Sequence, residues 1–298
     1  MNGALLINKE AGITSFDVLR KLKIGLPRVA TPAGVAKWGH SGTLDPFATG
    51  LLIILVGHAT RLQEELHILP KTYRAEITLG ANTDTDDVTG TISPPRMRGS
   101  EIEPSQQQIL AALDHIKAQK SQIPPDYAAI KIQGQKMYDL ARAGKTIVKK
   151  ARPITIHEIK LENYIYPQLE ISVTCSTGTY IRSIARDLGE ILGTGAYCSG
   201  LERTAIGPFT VQNSHLLKDL PKDLKTVIIP LEQLVSHIQS VEFSANNVAK
   251  LKNGREVEGA KNTPTNTPIA LLDNNKKLFG IGIQNIEGSI KSRKIFLR

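Results

Sequence analysis

A single carboxylate, Asp45, lies in the segment GHSGTLDPFATG at residues 39–50, among glycine, serine and threonine residues. A carboxylate can act as a nucleophile or a base, and glycines allow a ligand to approach the backbone closely. The segment has no second acid, which hydrolysis of a glycosidic bond would normally require, and its glycine spacing is not that of a phosphate-binding loop. A reaction that breaks and remakes a glycosidic bond without admitting water would need only one carboxylate, acting as nucleophile or base, and a cation to keep it ionised.

A purely structural role is the alternative for Asp45. Because Asp45 precedes Pro46, it could form an Asx turn or cap the N-terminus of a helix. A catalytic carboxylate in a dry pocket needs a cation to keep it ionised, and Arg182 is a candidate for that cation. The alternative for Arg182 is a surface position, and the alternative for Tyr73, a second candidate, is a place in the apolar core. These residues alone leave the alternatives open.

The elements around Asp45 follow from local patterns in the first 60 residues or so of the chain. ALLINK predicts a short strand, and Thr14 and Asp17, in the spacing of a capping box, predict a helix from about 15 to 24. The uninterrupted apolar run LLIILV at 51–56 predicts a strand that is buried on both faces. Asp45 is therefore expected in a loop between a helix and a buried strand.

The other two candidates fall on a strand and a helix. TYRAEITLG alternates apolar and polar residues, which predicts a half-buried strand with Tyr73 on its apolar face. Helical spacing in TYIRSIARDLGEILG predicts a helix that carries Arg182 and ends at Gly193. Other predicted elements are a loop at 81–105, a helix at 105–119, a strand at 169–176 and a connector with helical pieces at 216–240.

The last 60 residues or so have a different pattern. The short helix NNVAKLKNG is followed by the strand patterns PIALLDN, KLFGIGIQ and SRKIFLR, the first two joined by an Asn-Asn-Lys turn. This order predicts a small β-rich domain. We therefore predict a first domain at 1–237 and a second at 238–298.

The composition is that of an ordinary globular protein, with 298 residues of which 41% are hydrophobic. The longest apolar run, LLIILV, has six residues, against about 20 in a membrane span. MNGALLINKE lacks the pattern of a signal peptide, so we expect a cytoplasmic protein without membrane contact. Cys175 and Cys198 predict two reduced thiols rather than a metal or redox pair.

The charge distribution favours a polyanionic partner. The net charge is +9, and residues 120–152 alone carry eight basic residues and two acids, or +6. Such a segment is typical of a nucleic-acid-binding surface, with a solvated surface that binds nothing as the alternative. The basic residues are Lys120, Lys131, Lys136, Arg142, Lys145, Lys149, Lys150 and Arg152.

Four segments together resemble the motifs of bacterial tRNA pseudouridine synthases of the TruB type, which isomerise uridine 55 in the TΨC loop. In chain order they are GHSGTLDPFATGLL, KTYRAEITLG, PPDYAAIKIQGQKMYDLARAG and CSTGTYIRSIARDLGEILG. The resemblance covers nearly the whole chain, and four motifs in the right order and spacing are highly specific. The lone carboxylate suits this chemistry, because the family's reaction is an isomerisation.

The resemblance implies roles for individual residues. It implies that Asp45 is the catalytic aspartate, that Tyr73 stacks on the flipped base and that Arg182 pairs with Asp45. The other substrate-binding residues that it implies are Leu201 in the wall of the uracil pocket, Tyr180 beside it, and His40 against the reorganised RNA loop.

The resemblance also implies an α+β fold, with a central, largely antiparallel mixed sheet and flanking helices, followed by a PUA-like domain. The expected partner is the T-arm of tRNA, held by an RNA-gripping insertion at about 120–152 through Lys131, Lys149 and Lys150. Tyr127 and Tyr138 are interleaved among the basic residues of the insertion. We expect a monomer that needs no metal, no cofactor and no guide RNA.

Two positions depart from the family pattern, and two other functions are alternatives. Ala128 replaces a common serine, which removes a hydroxyl that could contact RNA. Glu202 replaces a common basic residue, and its carboxylate would repel phosphate, so the sequence predicts a weaker grip on RNA at that edge. One alternative is a guide-dependent pseudouridine synthase of the archaeal and eukaryotic type, although the insertion favours direct binding of tRNA. The other is an RNA-binding or RNA-folding protein whose catalysis is incidental.

Overall fold

The structure is a computed structural model, and two sheets organise it. It describes residues 1–25, 30–31, 34–35, 37–94, 103–128, 131–132, 135–136, 149–259 and 263–296. All statements below refer to these residues. The described helices are α1 (Ser15–Gly25), α2 (Gln63–His67), α3 (Gln106–Ala118), α4 (Ile181–Leu192), α5 (Leu231–Leu234) and α6 (Ala245–Lys252), with 3-10 turns at Gly57–Leu62, Val211–Asn213, Leu217–Asp219 and Leu224–Thr226.

The large sheet contains eight of the described strands. They are β1 (Gly3–Lys9), β2 (Trp38–His40), β3 (Thr49–Val56), β4 (Lys71–Leu79), β5 (Ile156–Ile165), β6 (Gln168–Cys175), β7 (Ala196–Ile206) and β8 (Phe209–Thr210). The order is β1-β3-β7-β4-β6-β5, with β2 beside β3 and β8 beside β7. The β3–β7 pairing is parallel and the other described pairings in this sheet are antiparallel, which confirms the predicted mixed, largely antiparallel sheet.

Helices α3 and α4 cover one face of this sheet. Their apolar side chains form a single buried cluster with those of β4, β6 and β7. The alternation in β4 places Ala75, Ile77 and Leu79 in that cluster, with Tyr73 packed against its edge. Strand β3 lies deeper, because side chains from its two faces belong to two different buried clusters. Both strands therefore have the burial that their sequence patterns predict.

The ends of the helices follow local sequence signals. Thr14 and Asp17 form the predicted capping box, since the Thr14 N–H donates to the Asp17 carboxylate and the Asp17 N–H donates to Thr14 Oγ1, both at 3.0 Å. Ser105 and Gln108 form a second capping box at the start of α3. Helix α4 ends at Gly193, whose φ of 73° is the left-handed conformation that glycine adopts without strain.

Short pairs of two-residue strands occur where a loop or an insertion begins and ends. Asn82–Thr83 pairs with Ile92–Ser93 inside the predicted loop at 81–105, and Ser121–Gln122 pairs with Arg152–Pro153 at the two ends of the basic segment. The latter pairing brings the ends of the predicted insertion together beside α4. The remaining pairs are Ala30–Thr31 with Gly34–Val35 and Lys131–Ile132 with Gln135–Lys136.

The carboxy-terminal sheet has five described strands, β9 (Ser240–Phe243), β10 (Val257–Glu258), β11 (Pro268–Asp273), β12 (Leu278–Gln284) and β13 (Ser289–Ile295). Its order is β9-β11-β12-β13-β10. The predicted strands at PIALLDN and KLFGIGIQ are confirmed, whereas the third begins at Ser289, three residues before the predicted SRKIFLR. This β-rich region and the mixed sheet together confirm the predicted α+β class.

The two sheets are in contact through apolar and charged side chains. Leu278 and Phe296 share a buried cluster with Leu62 and Leu66, which lie after β3. Lys294 Nζ is 2.7 Å from a carboxylate oxygen of Glu64.

The division into domains at 1–237 and 238–298 stays a prediction. Within the described part of the chain, the helices are all too short or too polar to cross a lipid bilayer.

Candidate active site

The loop that carries Asp45 is fixed on both sides of that residue. The Leu44 N–H donates to Ser15 Oγ at 2.9 Å, which attaches the loop to the start of α1. On the other side, Lys9 Nζ donates to the Pro46 carbonyl at 3.2 Å. These bonds hold the backbone of the loop in place. The Asp45 carbonyl accepts the Ala48 N–H at 3.2 Å, so the backbone rather than the carboxylate closes the local turn.

The Asp45 carboxylate faces Arg182. Arg182 Nε lies 2.9 Å from Oδ2 of Asp45, and Arg182 Nη2 donates a hydrogen bond to Oδ1 at 3.2 Å, so the guanidinium contacts both carboxylate oxygens. The Arg182 side chain is 4% exposed, whereas that of Asp45 is 32% exposed. The arginine is therefore enclosed by protein and the aspartate has an open side that a substrate could approach.

A second carboxylate, Asp87, binds the same guanidinium. Arg182 Nη1 lies 3.0 Å from Asp87 Oδ2 and donates at 3.1 Å to the carbonyl of Thr85. The other oxygen of Asp87 accepts the Thr89 N–H at 2.9 Å and the Thr85 hydroxyl at 2.8 Å. Asp87 is therefore itself held in place, and it holds one edge of the Arg182 guanidinium while Asp45 holds another.

Burial and these neighbours determine the electrostatics of Asp45. Burial raises the pKa of Asp45 above its ordinary value of 3.8, the positive charge of Arg182 opposes that rise, and the negative charge of Asp87 adds to it. Asp45 is thus a partly exposed carboxylate beside a cation that favours its ionised form. Such a group can attack a carbon or remove a proton.

Tyr73 and Leu201 lie on the neighbouring strands β4 and β7. Both are partly buried, and both pack against the same two apolar clusters, which include Leu44 of the Asp45 loop. Burial raises the pKa of the Tyr73 hydroxyl above 10.0, opposed by the nearby Arg203 guanidinium, so the hydroxyl stays protonated at neutral pH. The two side chains supply an aromatic and an aliphatic surface near the carboxylate.

Arg203 is a buried arginine that the sequence patterns do not indicate. Its side chain is among the largest fully buried ones, and it donates to three carbonyls of the Asp45 loop and β3. The bonds run from Nε to Leu51 at 2.8 Å, from Nη1 to Thr43 at 3.3 Å and from Nη2 to Gly42 at 3.1 Å. Arg203 thus connects β7 to the loop, as Lys9 does from β1.

Tyr180 and His40 lie at the edge of this arrangement. Tyr180 is the residue before α4, and burial raises the pKa of its hydroxyl above 10.0, with a further rise from the negative charge of Asp45. His40 ends β2 and is partly buried, and burial lowers the pKa of its ring below 6.5. His40 Nδ1 accepts the Gly42 N–H at 3.4 Å, so the imidazole contacts the loop just before Leu44 and the site.

The three predicted RNA-binding lysines have different surroundings. Lys150 is exposed, and Lys149 Nζ pairs with Asp126 Oδ1 at 2.8 Å. The side chain of Lys131 lies outside the described residues, as does the whole of Tyr138. Tyr127 is partly buried, and its carbonyl accepts a hydrogen bond from Arg182 Nη2 at 3.1 Å.

The two positions that depart from the family pattern have different surroundings. Ala128 is fully buried, so this position offers no group to a surface ligand. Glu202 is the cross-strand neighbour of Arg74, and strand alternation places it on the sheet face opposite Leu201. The expectation that Glu202 weakens the grip on RNA at that edge stays a prediction.

Several residues of this arrangement have no clear signal in the sequence. Asp87 lies in an acidic turn segment that predicts only a loop, and Lys9 and Arg203 are charged residues in strands. Lys9 is fully buried, and burial lowers its pKa from 10.5 to about 8.

Among the described residues, no group of three or more His, Cys, Asp or Glu is placed to hold a metal ion. Cys198 of β7 is a buried, free cysteine.

Comparison with known protein families gives two consecutive matches along the chain. Residues 31–181, half of the chain, match the N-terminal domain of the TruB family pseudouridylate synthases. The chain belongs to the TruB family of pseudouridylate synthases. Residues 182–236 match a second family, described as the tRNA pseudouridylate synthase B C-terminal domain. The residues discussed above from His40 to Arg203 all lie within these two matches, whereas Lys9 and Ser15 precede them.

Relatives in the TruB family align over most of the chain. A tRNA pseudouridine synthase B of Dehalococcoides mccartyi (strain CBDB1) is 40% identical over 262 residues, which are 86% of this chain and 84% of the relative. A tRNA pseudouridine synthase B of Clostridium tetani is 35% identical, with 97% of each chain covered. That of Clostridium novyi is 35% identical, with 100% of each chain covered.

Solved structures share the fold. A chain in the crystal structure of a Cbf5-Nop10-Gar1 complex superposes with a TM-score of 0.75, at 22% identity, over 99% of this chain and 85% of the other. A chain in an H/ACA RNP bound to a substrate RNA containing 2′-deoxyuridine superposes with a TM-score of 0.72, at 21% identity, over 99% of this chain and 85% of the other. At these identities the likeness concerns the fold alone.

Proposed function

We propose that this TruB-family chain isomerises uridine 55 in the T loop of tRNA to pseudouridine. The observation that carries the proposal is the pairing of Asp45 with Arg182, in which the arginine is buried and the carboxylate has an open side. The names of the relatives support tRNA as the substrate. Because tRNA is the substrate class, we place the enzyme in the cytoplasm.

The target uridine must leave the folded RNA loop before Asp45 can reach its sugar. Enzymes that act on a stacked base rotate the nucleotide into a pocket and compensate for the lost stacking there. We assign Tyr73 as the stacking surface, which supplies about 1–3 kcal/mol per base. Leu201 forms the apolar wall, Tyr180 packs close by, and His40 holds the rearranged RNA.

The reaction exchanges one bond to the sugar for another. The bond from C1′ to N1 of uracil breaks, the base turns, and a bond from C1′ to C5 forms. The C5 proton leaves and N1 gains a proton, so the product is an isomer of uridine. Asp45 either attacks the sugar or removes a sugar proton, and both routes require its ionised form. Arg182 keeps Asp45 ionised and directs it towards the open side.

The basic insertion is proposed to hold the T-arm of tRNA. Its eight basic residues in 120–152 supply positive charge for phosphate contacts, and Lys150 is exposed. We assign Lys131, Lys149 and Lys150 to these contacts. We further propose that the enzyme acts as a monomer on free tRNA, without a guide RNA, metal or cofactor.

Mapping the modified nucleotide tests the function directly. Purified protein is incubated with unmodified tRNA transcript, and pseudouridine is located by chemical derivatisation and primer extension. We expect one pseudouridine, at position 55, and none in a transcript with cytidine at that position. Asp45→Asn keeps the size of the side chain and removes its charge, so product should vanish while RNA affinity persists. Pseudouridine at another position, or product from Asp45→Asn, would contradict the proposal.

Two further experiments separate the alternatives. A bare T-arm hairpin, given to the purified chain alone, should be modified if no guide RNA is needed. A complementation assay with Asp45→Asn tests the RNA-folding alternative: if the variant restores the whole cellular role, RNA binding rather than isomerisation is the main function.

A further inference from the structure

The two ends of the basic insertion meet beside the N-terminus of α4. Ser121–Gln122 pairs with Arg152–Pro153, so the chain leaves and returns at one place. Tyr180, which precedes α4, has no side-chain cap from its own segment. The N-terminus of the helix that carries Arg182 is therefore organised by residues from elsewhere in the chain.

Gln122 supplies that organisation. Its Nε2 donates to the Tyr180 carbonyl at 3.1 Å, and its Oε1 accepts the Tyr180 N–H at 2.9 Å. The amide thus pairs with both backbone groups of one residue, as a neighbouring strand would. Gln122 is 3% exposed, so water does not compete for these bonds.

The residues after Gln122 continue the attachment to α4. The Ile123 carbonyl accepts the Ser183 hydroxyl at 2.9 Å and Arg186 Nη2 at 3.0 Å. The Tyr127 carbonyl accepts Arg182 Nη2 at 3.1 Å. The same Nη2 also donates to Asp45. The first segment of the insertion, residues 122–127, is therefore bonded to the guanidinium that holds the catalytic carboxylate.

We propose that Gln122 is a positioning residue for the isomerisation, acting through Tyr180 and the first turn of α4 on Arg182. The inference rests on the proposed function. Gln122 does not touch the reacting atoms in this arrangement. It fixes the backbone two residues before Arg182, and thereby the direction from which the guanidinium meets Asp45. It also joins residues 122–127, the first segment of the insertion, to the catalytic pair.

The effect should appear in the chemical step because the Arg182–Asp45 pairing depends on geometry. Two contacts of a planar guanidinium with a carboxylate require both groups to keep their relative orientation. A displacement of about 1 Å at a reacting centre costs on the order of 100-fold in rate. A looser pairing also leaves the partly buried Asp45 less stabilised in its ionised form, which raises its pKa.

The test compares Gln122→Met with a matched control. Methionine has a similar length and makes neither hydrogen bond. Gln284→Met, in β12 of the carboxy-terminal sheet, likewise removes a buried amide, because Gln284 is 6% exposed. Each variant is measured for its single-turnover rate at saturating enzyme, its Kd for tRNA, its unfolding midpoint and the pH dependence of the rate.

For Gln122→Met we expect a rate at least about tenfold lower, a Kd for tRNA within about threefold of wild type, and an acidic limb at higher pH. Gln284→Met should keep the wild-type rate and pH profile. Gln122→Asn keeps an amide but shortens the side chain by one methylene, so it should lose part of the pairing with Tyr180 and lie between wild type and Gln122→Met. It also serves as the test variant if Gln122→Met does not fold.

Either of two results would overturn the inference. One is a Gln122 variant that is folded and keeps the wild-type rate. The other is a rate loss that saturating enzyme restores, since that would assign Gln122 to binding. An inactive wild-type enzyme would instead refute the proposed function, so the two failures are distinguishable.

Discussion

Asp87 Oδ2 lies 3.0 Å from Arg182 Nη1, and the two side chains are 5% and 4% exposed. The Arg182 guanidinium is thus shared between a carboxylate shielded from solvent and the partly open Asp45. The shielded carboxylate compensates for the burial of the guanidinium, and the open one is available to a substrate. Asp87 thus fixes the position of Arg182, and Arg182 in turn provides positive charge to Asp45.

Asp87→Asn tests the role of the shielded carboxylate. The variant keeps the shape of the side chain but leaves Arg182 with one anionic partner instead of two. Removing one member of a buried ion pair typically costs about 3–5 kcal/mol, so we expect a loss near 3 kcal/mol in the free energy of unfolding. The single-turnover rate should fall at least about tenfold because the guanidinium is no longer held at that edge.

Asp84→Asn is the matched control for this change. Asp84 lies in the same turn and is exposed, and its carboxylate accepts the Thr91 N–H at 2.7 Å. We expect less than about 1 kcal/mol of destabilisation and an unchanged rate, since surface changes are usually small. Equal effects of the two substitutions on stability and rate would show that the ion pair of Asp87 with Arg182 contributes to neither.

The pH dependence of the rate reports the state of Asp45. Burial raises the pKa of Asp45 above 3.8 while Arg182 opposes the rise, so the active, ionised form is lost as the pH falls through that raised pKa. Arg182→Lys replaces a two-point contact with a point charge and should move the acidic limb to higher pH. The measurement is the single-turnover rate from about pH 4 to about pH 8.

Arg20→Lys controls for the general effect of an arginine substitution. Arg20 is 62% exposed and pairs with Asp17 on α1. Its acidic limb should coincide with that of the wild type. An acidic limb that does not move in Arg182→Lys would mean that a group other than Asp45 limits the rate at low pH.

The sequence predicts elements whose signals are local. The capping box of Thr14 and Asp17, the apolar run of β3 and the alternation of β4 each involve residues close in sequence, and the structure confirms all three. Strand β7 gives no such signal, because shifts in register between Cys198 and Gly200 and between Arg203 and Ala205 interrupt its period of two.

Strand β5 also escapes prediction, for a different reason. It is an edge strand with mostly exposed and partly buried residues, and its register shifts twice against β6.

Within the site, the pairing of Arg182 with Asp45 follows from the family resemblance. The contacts of Asp87 and Gln122 do not, since their partners lie 95 and 58 residues away in the sequence. Only tertiary structure relates them.

Arg203→Met tests whether this buried arginine holds the Asp45 loop. The substitution keeps an apolar stem of similar length and leaves the carbonyls of Gly42, Thr43 and Leu51 without their guanidinium donor. An unsatisfied buried polar group costs about 1–3 kcal/mol, so we expect a loss of about 3 kcal/mol or more in the free energy of unfolding. Denaturant unfolding measures the loss.

Arg74→Met is the control on the exposed side of the same sheet. Arg74 is the strand neighbour of Tyr73, is 61% exposed and forms an ion pair with Glu170. Exposed ion pairs contribute about 0–1 kcal/mol, so its loss should be small. If both variants lose the same amount, the three carbonyl contacts of Arg203 do not stabilise the loop.

Neutralising Lys131, Lys149 and Lys150 to glutamine tests the RNA-binding insertion. We expect the apparent KM to rise by at least about tenfold while the single-turnover rate at saturating RNA changes by less than about threefold. Lys149 pairs with Asp126, so its single substitution should have a smaller effect than that of the exposed Lys150. The slope of log affinity against log salt should become shallower by about one for each phosphate that the variant no longer neutralises.

The control is a triple substitution that removes the same charge from exposed lysines in the segment that connects the two sheets along the chain. It changes Lys218, Lys222 and Lys225 to glutamine, all of which are exposed. If the insertion makes the phosphate contacts, this control should keep the wild-type KM and salt slope. Equal shifts in both triple variants would assign the effect to net charge alone.

Lys9, which donates to the Asp45 loop, is buried, and its burial makes the free energy of unfolding depend on pH. Its pKa is lowered to about 8 from 10.5, so between these values the unfolded chain holds a proton that the folded chain has released. The contribution of Lys9 to the free energy of unfolding is therefore constant below about pH 8. It rises with pH above that, by up to about 1.4 kcal/mol per unit. Lys9→Met lacks this contribution. Subtracting its free energy of unfolding from that of the wild type cancels the contributions of other titrating groups such as Lys71.

We expect the difference between wild type and Lys9→Met to grow between pH 8 and 10. The corresponding difference for Lys21→Met, which changes an exposed lysine of α1, should stay constant. A flat difference for Lys9→Met would mean that its ammonium is not penalised by burial.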